Sequence, residues 1–325
     1  MKKVVLIFSL FLLQYCVAQS RLQTVSIGDF KTISGNTIKD CKIGYSTIGT
    51  LNADKSNIIV WLTWFTGTSD YISKNMVSSY LDTSRYYVIV IDALGNGVSS
   101  SPSNTKNCPA ITIQDMVNSQ YILLTRELKI NHIYAAVGMC MGGMQSLEWA
   151  VDYPEFIDNV VSLSGTPKAS YYDTLLLKTQ LEMLKFGEKA KNKEDIMFAR
   201  KRLAEIDLMH LLTPAYLEKN HVNDDQNTYL TDNLSDMRVQ VEAMLLHSIY
   251  KNANESEIKS KIKAKVLLTV ESKDLMVNPL PSIQLSQQLS CKLITYNHDC
   301  GQGFLNCEDA NDRMKESINQ HFNYK

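Results

Sequence analysis

One stretch decides the fold of this chain: Ala136-Val137-Gly138-Met139-Cys140-Met141-Gly142-Gly143-Met144-Gln145. An apolar run at residues 133–137 predicts a buried strand, and a helical pattern over residues 144–151 follows almost at once. Between them lies Gly-x-Cys-x-Gly, a spacing typical of a sharp strand-to-helix turn that exposes one reactive side chain. The glycines leave room for backbone to approach closely. The pattern predicts that Cys140 is a nucleophile; the alternative is a tight turn around a small buried thiol.

Composition and charge are those of an ordinary globular protein. The 325 residues are 45% hydrophobic and 21% charged, with a formal net charge of −1. That length allows one large domain or two smaller ones. The balanced charge argues against a nucleic-acid or anionic-membrane partner. No Cys-x-x-Cys or histidine-rich spacing indicates zinc, so we expect neither a metal nor a cofactor.

The first 18 residues have the pattern of a secretory signal. Lys2 and Lys3 precede an apolar run at residues 4–13, and small residues follow up to Ala18. Cleavage after Ala18 would export the protein to the periplasm or beyond. The run is too short for a stable membrane span. The alternative is a lipid anchor on Cys16. Loss of the two lysines from 33 basic residues leaves 31 basic against 34 acidic residues, a charge of −3.

Export would permit disulfide bonds among the remaining six cysteines. Cys300 and Cys307 are the best candidate pair, because they are close in sequence around a glycine-bearing loop. If Cys140 is a free nucleophile, five cysteines remain, and one more is then expected to be unpaired. The other pairings stay open. The six are Cys41, Cys108, Cys140, Cys291, Cys300 and Cys307.

Strand and helix patterns alternate up to residue 165, give way to helices alone, and then resume at residue 264. This order predicts an α/β fold with a mostly parallel eight-stranded sheet, helices on both faces and an inserted helical cap. The expected divisions are a signal peptide at 1–18, core at 19–167, cap at 168–262 and core at 263–325. The predicted strands are 24–27, 41–48, 58–62, 86–91, 133–137, 159–164, 264–270 and 291–296.

The carboxyl ends of the later strands carry the groups that a nucleophile needs. Functional groups of an open α/β sheet gather at this edge. The order Cys140, Asp274, His298 matches the nucleophile–acid–base order of the α/β-hydrolase fold. His298 would act as the base, and Asp274 would orient its ring. Glu271, nearer the strand end, and Asp299, beside the histidine, are the rivals of Asp274.

Two further features follow from that placement of Cys140. A thiol at a helix N-terminus beside a histidine is expected to have a lowered pKa, which favours the thiolate. An oxyanion hole would form from the backbone N–H groups of Met141, next to the nucleophile, and Phe65, in the loop after an earlier strand.

With these residues in view, the chain resembles the homoserine O-acetyltransferase-like branch of the α/β-hydrolase superfamily. The resemblance covers most of residues 23–325 outside the insertion, and it implies the fold and a nucleophile–His–acid triad. It is carried by Leu81-Asp82-Thr83-Ser84-Arg85-Tyr86, Gly95-Asn96-Gly97-Val98-Ser99-Ser100-Ser101-Pro102, Met141-Gly142-Gly143-Met144-Gln145 and Glu148-Trp149-Ala150-Val151-Asp152-Tyr153-Pro154.

The chain departs from that branch in two places. Cys140 stands where the branch has serine; a Cys-His-Asp triad is nevertheless known in the superfamily. Members that acetylate homoserine carry an arginine motif at the start of the insertion, and residues 168–173 contain no arginine. Together with export, this argues against methionine biosynthesis.

The sequence therefore predicts an exported enzyme that cleaves a small ester, thioester or lactone through a covalent acyl-enzyme on Cys140. The partner is a small acyl substrate, and a homodimer is left open. Two alternatives remain: transfer of the acyl group to an acceptor other than water, or an inactive ligand-binding homologue.

Overall fold

The computed structural model describes residues 21–220, 233–302, 307 and 310–323. The predicted signal peptide and Cys16 lie outside these residues. Across the described part of the chain, no helix combines the length and apolarity that a bilayer span requires.

In the part of the chain that the structure describes, ten strands form one large sheet and a small hairpin. They are β1 (Gln23–Ser26), β2 (Phe30–Lys31), β3 (Thr37–Ile38), β4 (Lys42–Ile48), β5 (Ile58–Leu62), β6 (Tyr87–Ile91), β7 (Ile133–Met139), β8 (Ile157–Leu163), β9 (Lys265–Glu271) and β10 (Lys292–Tyr296). The eight-stranded sheet has the order β1-β4-β6-β5-β7-β8-β9-β10, and β2 pairs with β3. β4 is antiparallel to both β1 and β6, and the other neighbours are parallel. The predicted eight-stranded, mostly parallel sheet is confirmed.

Helices cover both faces of this sheet. They are α1 (Ser69–Asn75), α2 (Val77–Tyr80), α3 (Ile113–Ile122), α4 (Met141–Asp152), α5 (Tyr171–Lys189), α6 (Lys193–Leu211), α7 (Pro214–Asn220), α8 (Leu234–Leu245), α9 (Glu255–Lys261), α10 (Leu280–Leu289) and α11 (Ala310–Asn323). Successive side chains of a strand point to opposite faces. Accordingly Val60 packs into the core under α3 and α4, whereas Trp61 packs into the core under α1, α2 and α11. Burial on both faces explains why β5 reads as an unbroken apolar run.

The described residues between β8 and β9 are mainly helical, as expected. α5 packs against both α6 and α8, and Arg238 of α8 forms ion pairs with Glu188 of α5 and Glu242 of its own helix. α9 differs, because it packs on α4 and α10 of the core. The range 168–262 as a separate cap stays a prediction.

One cysteine pair forms as the spacing suggested, but among the described residues three cysteines besides Cys140 are unpaired, where one was expected. Cys300 and Cys307 form a disulfide bond, which confirms the predicted pair. Among the described residues, the free cysteines are Cys41, Cys108, Cys140 and Cys291.

Candidate active site

The Gly-x-Cys-x-Gly stretch forms a sharp turn between β7 and α4. Cys140 has φ 53° and ψ −119°, a backbone conformation that residues other than glycine rarely adopt. A Cβ on Gly138 would lie 2.1 Å from the carbonyl oxygen of Gly142, and one on Gly142 would lie 2.3 Å from that of Leu62 in β5. Both glycines are therefore required by close backbone contact. The predicted turn is confirmed; α4 begins at Met141, three residues before the predicted helix start.

The strain at Cys140 gives a stability prediction. Glycine tolerates this backbone conformation and alanine does not, so we expect Cys140→Gly to be more stable than Cys140→Ala by about 1 kcal/mol. Urea unfolding midpoints of the two variants provide the measurement. The matched control is Ala150→Gly within α4. There, glycine in place of alanine should lower the free energy of unfolding by about 1 kcal/mol. Equal midpoints for the two Cys140 variants would show that the turn stores no strain.

His298 is held by Glu271 rather than by Asp274. The Nδ1 atom of His298 lies 2.9 Å from Glu271 Oε2, and its backbone N–H donates to both carboxylate oxygens at 3.1 Å. Glu271 is the last residue of β9 and only 1% exposed. Its carboxylate holds the Nδ1 proton and leaves Nε2 of His298 as the basic nitrogen. The ring also stacks on Tyr296, with centroids 5.7 Å apart.

The assignment of Asp274 as the orienting acid stays a prediction, and the contact of His298 with Glu271 makes Glu271 a second candidate for that role. Asp274 Oδ1 accepts hydrogen bonds from the backbone N–H groups of Met276 and Val277, each at 2.8 Å. This carboxyl therefore shapes the turn after β9. Burial raises the pKa of Asp274 to about 8, and the neighbouring Asp173 and Glu271 add to the effect. Asp299, the other rival, pairs with Lys273 at the surface.

Cys140 is half-buried, and the protein around its thiol changes the expected chemistry. Burial raises the pKa of the thiol to about 12. Hydrogen bonds from the Gln302 side chain and the Met141 backbone oppose that shift, whereas the Asp274 and Asp207 carboxyls add to it. The prediction of a lowered pKa is wrong, because loss of hydration outweighs the helix N-terminus. A pKa raised this far favours the neutral thiol at pH 7.

Within the described part of the chain, no hydrogen bond joins the His298 ring to the Cys140 thiol; the Nδ1 atom of His298 lies against Glu271 instead. Cys140, Glu271 and His298 do lie at one edge of the sheet, since each follows or ends a parallel strand.

A small cavity opens at Cys140. It has a volume of about 30 Å³. Phe65, the second residue assigned to the oxyanion hole, shares its wall with Cys140, and the other wall residues come mainly from α5 and the ends of strands. The full lining is Phe65, Cys140, Met144, Thr166, Ala169, Asp173, Leu176, Leu177, Gln180, Met244, Met276 and Val277.

A larger depression lies elsewhere. It measures about 610 Å³ and is lined by residues at the starts of β9 and β10 and by parts of α9, α10 and α11. This is the amino end of the strands, opposite to the edge where α/β sheets place their chemistry. The small cavity is therefore the candidate active site. Among the described residues, no cluster of His, Cys, Asp or Glu is arranged to hold a metal ion.

Comparison with known proteins assigns the family. The family model for the alpha/beta hydrolase fold matches residues 59–303, which is most of the chain. The chain therefore belongs to the α/β-hydrolase fold family.

Its relatives are esterases and acetyltransferases. The chain is 36% identical over 170 residues to a probable esterase of Corynebacterium glutamicum and 35% identical over 170 residues to an ethyl acetate hydrolase of Pseudomonas veronii; each match covers 50% of this chain and 49% of the relative. A homoserine O-acetyltransferase of Geotalea daltonii is 34% identical over 166 residues, or 44% of this chain and 45% of that protein. The chain thus matches about half the length of these relatives. The resemblance to the homoserine O-acetyltransferase-like branch is confirmed.

Solved structures share the fold over nearly the whole chain. An acetylester hydrolase from Corynebacterium glutamicum superposes with a TM-score of 0.86 at 22% identity, covering 93% of this chain and 96% of that one. A homoserine O-acetyltransferase from Bacillus anthracis superposes with a TM-score of 0.79 at 18% identity, covering 92% and 98%.

Proposed function

We propose that this protein is an esterase that cleaves short-chain esters through a covalent thioester on Cys140. The observation that carries the proposal is the strained turn that holds Cys140 against a small cavity, at the sheet edge where Glu271 orients His298. The esterases and the ethyl acetate hydrolase among its relatives support the same reaction class.

The geometry and the raised thiol pKa suggest the order of events. Because the thiol is neutral, His298 Nε2 would remove its proton while sulfur attacks the ester carbonyl, rather than beforehand. The N–H groups of Met141 and Phe65 would stabilise the oxyanion. The alcohol would leave with the proton from His298, and water activated by the same nitrogen would hydrolyse the thioester. Glu271 would stabilise the charged imidazole throughout.

The cavity suggests the size of the acyl group. A volume of about 30 Å³ corresponds to roughly two water molecules by the same measure, which suits an acetyl group better than a long chain. Steady-state kinetics with p-nitrophenyl acetate, butyrate and octanoate test the proposal. We expect kcat/KM to fall steeply with chain length. A protein that hydrolyses none of the three, or prefers octanoate, would contradict the proposal.

Leu176 of α5 offers a direct test of this pocket. It lines the cavity and is 6% exposed, whereas its neighbour Leu175 faces solvent and is 49% exposed. We expect Leu176→Ala to raise the butyrate-to-acetate ratio of kcat/KM by about tenfold, the order of effect of one methylene in an apolar pocket. The same ratio is expected to be unchanged in Leu175→Ala. An unaltered ratio in both variants would place the acyl group elsewhere.

Transfer to an acceptor other than water is the second candidate, supported by the homoserine O-acetyltransferase relatives. Residues 168–173 lack the arginine expected for an amino-acid carboxylate, which favours hydrolysis. Adding homoserine or simple alcohols to the acetate assay distinguishes the two. Acetylated acceptor would identify a transferase, and acetate alone an esterase.

We also propose that the protein is exported. The basic start, apolar run and small residues before Gln19 support this, and a disulfide bond between Cys300 and Cys307 suits an oxidising compartment. Fractionation of the producing cell, with detection of a chain that starts at Gln19, provides the test. Full-length chain in the cytoplasm would contradict export.

A further inference from the structure

Three polar side chains besides Cys140 line the small cavity: Thr166, Asp173 and Gln180. The first two are engaged by the protein itself. Thr166 donates from its hydroxyl to the backbone oxygen of Lys168 at 2.6 Å. Both carboxylate oxygens of Asp173 accept backbone N–H groups, one just before α5 at 2.7 Å and one just before α10 at 2.9 Å. The hydrogen bonds of these two side chains therefore serve the structure of the wall.

Gln180 of α5 differs from them, because it has no partner in the protein. Its side chain is 6% exposed and makes no hydrogen bond with any residue that the structure describes. Its amide atoms are not sealed in the core, so they keep surface that a bound molecule can reach. Gln180 lines two spaces, the cavity at Cys140 and a smaller gap beside it. The other residues around that gap are all apolar: Phe65, Leu184, Leu203, Met237 and Val241.

An amide in this position is unfavourable for the free protein. A buried donor and acceptor without partners cost more than an apolar side chain of the same shape. The cavity wall on α5 is otherwise built from Leu176 and Leu177, and an apolar residue at position 180 would extend it. A ligand that supplies the missing hydrogen bonds removes this cost. Binding sites commonly place a few polar groups in an apolar wall to select such a ligand.

The size and charge of the cavity indicate which group the amide binds. With the reacting carbonyl at Cys140, a volume of about 30 Å³ leaves room for roughly two more heavy atoms. A hydroxyl group both donates and accepts, as the amide of Gln180 does. A carboxylate would instead face the carboxyl group of Asp173 in the same wall. The acyl group that fits best is therefore hydroxyacetyl, in which a CH₂ group carries the hydroxyl.

We propose that Gln180 determines the acyl specificity of this site: its amide binds a hydroxyl group on the acyl part of the substrate, so that esters of short hydroxy acids are preferred over alkyl esters of the same size. The inference rests on the proposed esterase function and names the substrate class within it. Gln180 exchanges no proton, and Cys140 and His298 carry out the reaction. Sequence reasoning missed this residue, because a single glutamine in an amphipathic helix resembles one that faces solvent.

Ethyl hydroxyacetate and ethyl propionate test the proposal, because a hydroxyl and a methyl group differ little in size. The variant is Gln180→Met, and the matched control is Gln284→Met on the exposed face of α10. We expect the hydroxyacetate-to-propionate ratio of kcat/KM to fall about tenfold in Gln180→Met, the effect of one hydrogen bond. The ratio should be unchanged in Gln284→Met. Comparing ratios between proteins removes the different intrinsic reactivities of the two esters. A parental ratio in Gln180→Met would overturn the proposal.

Urea unfolding separates this role from a structural one. Methionine leaves no amide unpaired, so the unfolding midpoint of Gln180→Met should equal or exceed that of the parent. A lower midpoint would assign the amide a structural role and contradict the proposal.

Binding of two unreactive analogues, hydroxyacetamide and propionamide, tests Gln180 without catalysis. In NMR titrations of the parent protein, we expect hydroxyacetamide to bind about tenfold more tightly than propionamide. Gln180→Met should bind the two equally. Equal affinities in the parent protein would overturn the role of Gln180. If the parent hydrolyses neither ester but prefers hydroxyacetamide, the esterase proposal fails while the role of Gln180 in binding a hydroxyl group stands.

Discussion

Cys140→Ala is expected to lower kcat/KM for p-nitrophenyl acetate by a factor of roughly 10³ or more, since removal of a covalent nucleophile leaves only binding and oxyanion stabilisation. In the proposed reaction the thiol is the nucleophile, and it lies on a strained turn. The same variant should form no acyl-enzyme, which intact-protein mass spectrometry after a short incubation would detect. Steady-state rates and this mass shift together constitute the measurement.

Two controls make the result specific to Cys140. Cys291→Ala removes a free thiol at the opposite end of the sheet and should leave the rate unchanged. Cys140→Ser retains a nucleophile that His298 can deprotonate and should keep part of the activity. An unchanged rate of hydrolysis in Cys140→Ala would exclude this residue as the nucleophile. The Gly-x-Cys-x-Gly stretch would then have only a structural role as a turn.

The fold and the turn at Cys140 were predictable because their signals are local. The apolar run of β5 and the Gly-x-Cys-x-Gly spacing each lie within a few consecutive residues. Burial on both faces requires the first, and steric limits on the backbone require the second. The short hairpin of β2 and β3 was missed, since two-residue strands carry almost no periodic signal.

The contact of His298 with Glu271 and the raised pKa of the Cys140 thiol were not predictable, because both depend on neighbours that are distant in sequence. Sequence reasoning ended the seventh predicted strand, which corresponds to β9, at Val270, but pairing with β10 continues to Glu271, which lies opposite Tyr296. That register brings Glu271 next to His298. Asp274, by contrast, is engaged by the turn that follows it. Likewise, the residues next to Cys140 in the sequence do not indicate that side chains distant in sequence will pack around its thiol.

The comparison of Glu271→Gln with Asp274→Asn decides which carboxyl serves His298. Glutamine keeps the shape of Glu271 but cannot stabilise the charged imidazole, so we expect a fall in kcat of roughly 10²- to 10⁴-fold. Asparagine keeps the carbonyl oxygen that the Met276 and Val277 N–H groups require, so Asp274→Asn should fold normally. Steady-state kinetics at pH 7 and pH 9 provide the measurement.

The pH dependence of kcat/KM in the Asp274→Asn variant distinguishes most clearly between Glu271 and Asp274 as the partner of His298. Because the pKa of Asp274 is raised to about 8, the carboxyl is mostly protonated at pH 7, where its neutral replacement should change kcat/KM little. At pH 9 the parental carboxylate is charged and raises the pKa of the Cys140 thiol. Removing that charge should therefore make Asp274→Asn more active than the parent at pH 9. The reverse pattern, with a large loss in Asp274→Asn and little in Glu271→Gln, would restore Asp274 as the residue that orients His298.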